Sequence, residues 1–242
     1  LPISIAVTMV TGVILGAPTL RARGDYLAIV TLGFGEIIRV FMNNLEYPIN
    51  ITNGPRGIGQ IEPMTLGPLD FSEPLHLFGH ELPSVTLYYY LFLALVIATV
   101  VICQRLADSR IGRAWMAIRE DEIAAKAMGI NTRNVKLLAF AIGSFYAGVA
   151  GALLGYFYRA MTPEYFTLTL SIFYLAAIIV GGLGSTLGTI FGAFFMTLVP
   201  ELLRGAVSFT ALWLPSATEI LSPVREIVFG ALIIAFLVFE PH

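Results

Sequence analysis

Charge is scarce in this sequence, and its scarcity excludes an ordinary water-soluble domain. Of the 242 residues, 12% are charged and 57% are hydrophobic, whereas soluble globular domains average about 25% and about 45–50%. A soluble core of this size has no room for so large an apolar excess, which predicts a polytopic membrane protein. The net charge of −2 gives no general affinity for nucleic acid.

Cysteine and lysine are also scarce, and each scarcity removes a class of chemistry. Cys103 is the only cysteine, so the chain forms no internal disulfide and no cysteine-based metal site. A P-loop requires the pattern G-x-x-x-x-G-K-[ST], because its backbone amides and its lysine together hold phosphate. Neither lysine, Lys126 or Lys136, follows such a loop. The chain is therefore not expected to bind ATP by that route.

The three histidines, His76, His80 and His242, all lie outside the apolar runs. A serine in GGLGSTLG (181–188) would therefore have no histidine base for intramembrane proteolysis. His76 and His80 have the i, i+4 spacing of two zinc ligands, but Gly79 and flanking prolines argue against a regular helix there. No metal site and no enzyme are predicted.

Long apolar runs predict an all-α, polytopic transmembrane helical bundle that forms one domain over residues 1–242. Crossing roughly 30 Å of hydrocarbon takes about 20 helical residues. About seven runs qualify, the last three only with tilt or close packing: 1–20, 25–43, 85–104, 137–157, 167–182, 188–203 and 223–239. The chain begins at Leu1 inside an apolar run, so we expect an N-terminally truncated fragment rather than a signal peptide.

The distribution of arginine and lysine predicts the orientation of these spans. Nine of the 14 positive residues lie in the connections 21–24 and 105–136, and positive residues in short loops stay in the cytoplasm. The segment 105–136 and the C-terminus are therefore predicted to be cytoplasmic. The loop 44–84, which is rich in proline and acidic residues, is predicted to be external, with tyrosines of the neighbouring spans at the outer interface.

The cytoplasmic segment 109–131 is the one long polar stretch of the chain. Apolar residues recur at helical spacing on both sides of the acidic triplet Glu120–Glu122, and Gly129 and Asn131 are predicted to end the second helix. A short amphipathic helix lies either at the lipid interface or in a groove of a soluble partner. The acidic triplet favours a protein partner over anionic lipid.

Glycines fall on single faces of two predicted helices. Gly148, Gly151 and Gly155 follow i, i+3, i+7 spacing, and Gly188 and Gly192 form a G-x-x-x-G. Small residues on one face let helix backbones approach closely in lipid. The pattern favours close packing over a role in a transport path.

Two segments resemble each other with one residue inserted, YLAIVTLGFG at 26–35 and YLAAIIVGGLG at 174–184. The predicted topology has them crossing the membrane in opposite directions, which is typical of an inverted repeat with glycine-interrupted helices. Such a break frees backbone groups that line a cavity. The alternative is two buried helices whose glycines serve packing.

Glu36 and Arg39 lie three residues apart in the outer part of the run 25–43, so they are expected to pair. Ionisable residues inside a span usually face protein or water. A structural ion pair and a lining of a transport path remain alternative interpretations.

Several motifs, taken together, resemble the LivM-type permeases of branched-chain amino-acid ABC importers. They occur between residues 21 and 225: RGDYLAIVTLGFGEIIR (23–39), NGPRGI (53–58), REDEIAAKAMGIN (119–131), VKLLAF (135–140), GGLGSTLG (181–188) and PELLR (200–204). The resemblance is more specific for the family than for the substrate, because related permeases carry urea, other amides or other amino acids.

The resemblance implies a non-catalytic permease subunit in a prokaryotic plasma (inner) membrane. The implied partners are a second homologous permease, an external solute-binding protein, the lipid bilayer and two cytoplasmic ATPase subunits, which hold ATP and Mg²⁺. This chain itself would bind no cofactor. A different class of function, an ATP-independent channel with GGLGSTLG as a backbone filter, remains the alternative.

The resemblance also assigns residues. The family's coupling loop often has the pattern E-A-A-x-x-x-G, and here Ile123 stands six residues before the glycine, which leaves the register open. The implied coupling residues are Asp121, Glu122, Ile123, Ala124, Ala125, Ala127, Met128 and Gly129. The expected substrate passage lies at the glycine breaks and includes Thr31, Gly33, Gly35, Glu36, Gly182, Gly184, Ser185 and Thr186.

Overall fold

The computed structural model describes residues 1–20, 25–46, 50, 52–66, 69–72, 74–77, 80–182, 184–211 and 230–231. Most of them are helical. The helices are α1 (Pro2–Thr19), α2 (Asp25–Asn43), α3 (Ser84–Ala107), α4 (Arg110–Glu120), α5 (Glu122–Ala127), α6 (Thr132–Tyr158), α7 (Leu168–Gly181) and α8 (Thr186–Ala211). Two 3₁₀ turns lie at Gly54–Arg56 and Pro163–Tyr165.

Short strands in the connections depart from the all-α prediction. They are β1 (Ile58–Gly59), β2 (Thr65–Leu66), β3 (Leu69–Asp70), β4 (Leu75–Leu77), β5 (His80–Leu82) and β6 (Ala160–Met161). They pair antiparallel as β1 with β6, β2 with β3 and β4 with β5. Each has only two or three residues, so the strands order the loops and leave the helical class of the fold unchanged.

Four helical segments of the described chain are long and apolar enough to cross a membrane: Pro2–Thr19, Ser84–Ala107, Thr132–Tyr158 and Pro163–Gly181. They match four of the predicted runs. Helix α2 also forms as predicted but carries the charged Glu36 and Arg39, and the apolar part of α8, Thr186–Leu202, is shorter. The run 223–239 lies almost entirely outside the described residues, so seven spans and the C-terminal orientation remain predictions.

The chain divides into two compact units, Leu1–Leu168 and Thr169–His242. In the first unit, α1 and α6 form the main helix pair. Gly12 of α1 lies against Ser144, and a Cβ added at Gly12 would be 2.5 Å from the Cβ of Ser144. A Cβ added at Gly148 of α6 would meet Thr8, 3.1 Å from its Cβ. Small residues on both helices therefore let the two backbones approach closely.

An aromatic cluster connects the start of α3 with the end of α6. Tyr88 is 3% exposed, and its ring centroid lies 5.0 Å from Phe71 and 5.5 Å from Phe157. Its hydroxyl donates a hydrogen bond to the Tyr156 carbonyl at 3.4 Å. Tyr89 remains exposed. The two helix ends therefore lie side by side, as expected if both meet the same membrane interface.

The loop after α2 packs on the linker between α6 and α7. In the β1–β6 ladder, Ile58 pairs with Met161, and the Ile61 amide donates to the Arg159 carbonyl at 3.0 Å. Gly57 adopts a φ of +69° at the crossing, which an L side chain rarely adopts. Two connections that the charge pattern assigns to one side of the membrane are thus joined.

In the described part of the second unit, α7 and α8 form a helical hairpin. Its buried core consists of Ala176, Ala177, Val180 and Met196. A Cβ added at Gly192 would lie 2.7 Å from the Gly181 nitrogen. The G-x-x-x-G of α8 therefore packs against the α7 backbone, which confirms the packing interpretation of Gly188 and Gly192.

The glycine face predicted on α6 forms only in part. Gly148 contacts α1, and Gly155 faces Met161 at an ordinary contact distance of 3.6 Å. No atom of the described residues lies within 4 Å of a Cβ added at Gly151. Within the described part of the chain, the packed face therefore includes Gly148 and Gly155 but not Gly151.

Candidate functional site

The polar segment between α3 and α6 folds into two short helices separated by one residue. Helix α4 begins after Ser109, whose hydroxyl accepts a hydrogen bond from the Gly112 amide at 3.2 Å. It ends at Glu120, because Asp121 adopts an extended conformation with φ −152° and ψ 110°. That single extended residue turns the chain into α5.

Helix α5 is short, and polar groups cap both of its ends. The Asp121 carboxylate accepts hydrogen bonds from the amides of Ile123 and Ala124 at 2.8 and 3.1 Å, the usual N-cap arrangement. At the other end, Gly129 has φ +86°, and the Ile130 amide donates to the Ala125 carbonyl at 3.1 Å. This is a Schellman motif, in which glycine occupies the left-handed position.

Asn131 differs from its prediction. It was expected to end α5 together with Gly129, but α5 ends at Ala127 and Asn131 is the N-cap of α6. Its side chain accepts a hydrogen bond from the Asn134 amide at 3.1 Å. Asparagine occurs at both helix ends because its side chain mimics a backbone acceptor, so the sequence alone left its role ambiguous.

Helix α5 presents an apolar face to solvent. Ile123 is 74% exposed and Met128 is 83% exposed, and Ala124 and Ala127 between them are also exposed. These four residues, here called the α5 outer face, cover one side of the helix because they are spaced at i, i+1, i+4 and i+5. Ala125 on the opposite side is 4% exposed.

Two polar contacts attach the α4–α5 segment to the start of α6. The Trp115 indole Nε1 donates to the Val135 carbonyl at 2.8 Å, which fixes α4. The Lys136 ammonium lies 2.7 Å from Glu122 Oε1, which fixes α5. The eight predicted coupling residues, Asp121–Ala125 and Ala127–Gly129, therefore do not form one surface. Asp121 and Gly129 cap the helix, Glu122 contacts α6, and the α5 outer face is exposed.

The predicted passage residues of α2 do not lie at a helix break. Helix α2 runs without interruption from Asp25 to Asn43, so the break predicted at Gly33 and Gly35 is wrong. Among the described residues, no atom lies within 4 Å of a Cβ added at either glycine. Thr31 donates its hydroxyl to the Leu27 carbonyl of its own helix at 3.0 Å.

The break predicted between α7 and α8 is present. Gly182 and Gly184 have φ of +93° and +94°, so glycine is required at the turn. The Ser185 hydroxyl accepts a hydrogen bond from the Gly188 amide at 3.0 Å and caps α8, and Thr186 is the first residue of α8. Of the two similar segments, 174–184 ends in this turn and 26–35 lies in a continuous helix. The inverted repeat therefore remains a prediction. The role of the eight passage residues also remains a prediction.

Glu36 and Arg39 form the expected ion pair. Arg39 Nε lies 3.0 Å from Glu36 Oε2, and Arg39 Nη1 lies 3.7 Å from Glu164 Oε1. Arg39 thereby ties α2 to the turn before α7. This contact supports the structural interpretation of the pair and was not foreseen, because Glu164 is distant in sequence.

His76 and His80 lie in a hairpin rather than a helix. They belong to β4 and β5, where His76 pairs with Glu81, so the helical zinc spacing does not apply. Among the described residues, no group of three histidine, cysteine, aspartate or glutamate side chains is arranged to hold a metal. In the same loop, hydrogen bonds from the Ser72 hydroxyl and amide lower the pKa of Asp70.

The four long apolar helices, together with a family match, show an integral membrane protein of the transport permease class. The chain belongs to the family described as branched-chain amino acid transport system / permease component, which matches residues 1–237. No solved structure matches the chain.

Named relatives agree with that family. The chain is 41% identical over 227 residues to the high-affinity branched-chain amino acid transport system permease protein LivM of Escherichia coli K12, covering 88% of this chain and 52% of that protein. It is 33% identical over 150 residues to LivH of the same strain, covering 62% and 43%. A probable LivM of Methanocaldococcus jannaschii is 25% identical over 247 residues, covering 99% and 66%. The chain thus spans about half the length of the E. coli relatives it matches.

Proposed function

We propose that the chain is the membrane-spanning permease subunit of an ATP-driven importer for branched-chain or similar amino acids. The α5 outer face carries this proposal. Ile123 and Met128 expose most of their apolar surface on a helix of six residues with both ends capped. A large exposed apolar group on a rigid, polar-flanked helix marks a protein contact, and an ATPase subunit is the partner that such an importer requires.

Arginine and lysine support the cytoplasmic placement of that contact. The segment 105–136 contains seven of the 14 positive residues, as expected for a cytoplasmic loop. ATP and Mg²⁺ would be held by two partner ATPases on this side. Their closure would displace α5, and the helices packed on it would switch access between outside and inside.

A second permease is supported by the relatives. One organism has two distinct proteins, LivM and LivH, each named as a permease of a high-affinity branched-chain amino acid transport system. The chain resembles both of them. A pair of homologous permeases that together enclose the passage, fed by an external solute-binding protein, fits this observation.

The first experiment tests the ATPase contact in the complete transporter expressed with its partner subunits. Ala124→Glu with Met128→Glu places two charges on the α5 outer face. A buried methionine side chain contributes about 1.5–3 kcal/mol, so co-purification of the ATPase should fall by more than about tenfold. Met116→Glu in α4 is the matched control, since Met116 is 53% exposed and lies off α5.

The outcome separates the importer from a channel. If assembly is lost and uptake continues without ATP, the chain acts without an ATPase and the proposal fails. The substrate is tested with the complete transporter in membrane vesicles, using radiolabelled leucine and urea. Uptake of urea alone would replace the amino-acid substrate with an amide.

A further inference from the structure

Helix α5 is too short to hold its own orientation. Isolated helices shorter than about 12–15 residues are marginal in water, and α5 has six residues. The caps at Asp121 and Gly129 order its ends but do not fix its direction relative to the membrane spans. That direction depends on the groups that attach α5 to its neighbours, and the buried Ala125, which is 4% exposed, is one of them.

The ion pair of Glu122 and Lys136 supplies the polar part of this attachment. The two charged atoms are 2.7 Å apart, and each side chain is only about a quarter exposed, 28% for Glu122 and 26% for Lys136. Both line a cavity of about 300 Å³ that also contacts Ala17 and Leu20 at the end of α1. Partial withdrawal from water strengthens the charge interaction relative to a fully exposed pair.

The ion pair acts at the same turn of α6 as the anchor of α4. Trp115 contacts the carbonyl of Val135, and Lys136 is the next residue. Further along α6, Gly148 packs against Thr8 of α1. A displacement of α5 applied through Glu122 would therefore reach a single turn of a helix that is closely packed on a second one.

We infer that Glu122 and Lys136 are positioning residues for energy coupling: their ion pair fixes the angle of α5 on α6 so that movement of the docked ATPase reaches the membrane spans. The inference rests on the proposed function. It also assigns distinct roles within α5, because the outer face binds the partner while Glu122, on the other side, transmits its movement.

The test uses the complete transporter in vesicles and measures assembly, ATP hydrolysis and uptake separately. Lys136→Met and Glu122→Gln each remove one charge and keep most of the side-chain volume. Assembly and ATP hydrolysis should persist, while uptake per ATP hydrolysed falls about fivefold, the factor expected for a pair of this exposure. Arg119→Met, an exposed residue near the end of α4 that is not among the residues lining this cavity, should retain the parental ratio.

Charge reversal distinguishes positioning from general destabilisation. In the double variant Glu122→Lys with Lys136→Glu, uptake per ATP hydrolysed should be at least about twofold higher than in either single reversal. Recovery should be incomplete, because lysine at the start of α5 opposes the helix dipole. Uptake per ATP equal to that of Arg119→Met, loss of assembly in both single variants, or no recovery in the reversed pair would each overturn the inference. A parental chain that retains no ATPase would instead overturn the proposed function.

Discussion

Replacement of Gly192 by alanine should force the hairpin of α7 and α8 apart. The new methyl group would lie 2.7 Å from the Gly181 nitrogen, 2.8 Å from its Cα and closer still to the Ala177 carbonyl oxygen. All three are backbone atoms, so no side-chain rotation relieves the overlap. The Gly181 Cα would have to retreat to the 3.4 Å at which ordinary contact begins.

Two opposing effects determine how much Gly192→Ala changes the free energy of unfolding. Overpacking a well-packed site costs about 1–3 kcal/mol, and a backbone clash belongs at the upper end of that range. Alanine also gains about 0.5–1 kcal/mol over glycine inside a helix. The free energy of unfolding should therefore fall by about 2 kcal/mol, and the buried Met196 beside the contact should become more accessible.

The measurement is unfolding in mixed micelles with an increasing fraction of SDS, followed by circular dichroism. Gly205→Ala in the same helix is the matched control, since no atom of the described residues lies within 4 Å of its added Cβ. It should leave stability unchanged or raise it. A midpoint for Gly192→Ala equal to or above that of the control would show that the backbones of α7 and α8 are not in close contact.

Three further predictions concern the α4–α5 segment. Asp121→Ala removes the N-cap of α5 and should cost about 1 kcal/mol, seen as about fivefold faster amide exchange in its first turn; unchanged exchange would contradict the cap. Gly129→Ala places an L side chain at φ +86°, costs about 1–2 kcal/mol and should weaken ATPase co-purification, whereas Gly143→Ala, in open space on α6, should not. Trp115→Phe loses one hydrogen bond to α6 and should lower the free energy of unfolding by about 1 kcal/mol; equal stability would show that this bond does not anchor α4.

The helices themselves were predictable because their signals are local. Apolar runs place α1, α3 and α6 within a few residues of their ends, and α6 starts earlier than predicted only because Asn131 caps it. The end of α5 before Gly129 was likewise predictable, because the left-handed position after a helix favours glycine. The helical spacing of Ile123, Ala124, Ala127 and Met128 also predicted that these apolar residues share one face.

The continuity of α2 was not predictable from its resemblance to α7. Both segments contain glycines, but only the second has the consecutive pair Gly181 and Gly182, created by the inserted residue. An isolated glycine such as Gly33 destabilises a helix by only about 1 kcal/mol, and α2 continues through it. After α7, Gly182 and Gly184 instead adopt positive φ. The two similar sequences therefore have different backbone conformations.

Helix partners were the least predictable part of the fold. In α1, Thr8, Gly12 and Gly16 recur every four residues, and the first two face Gly148 and Ser144 of α6. The small residues of α1 predict close packing as those of α6 do, although only the glycines of α6 entered the prediction. Small residues allow close approach but do not determine which helix packs there. The partner follows only because the small residues of α1 and α6 match along two antiparallel helices. This pairing places the end of α1 beside the turn of α6 that contains Lys136. A movement of α5 that reaches α6 would therefore act on two packed helices rather than one.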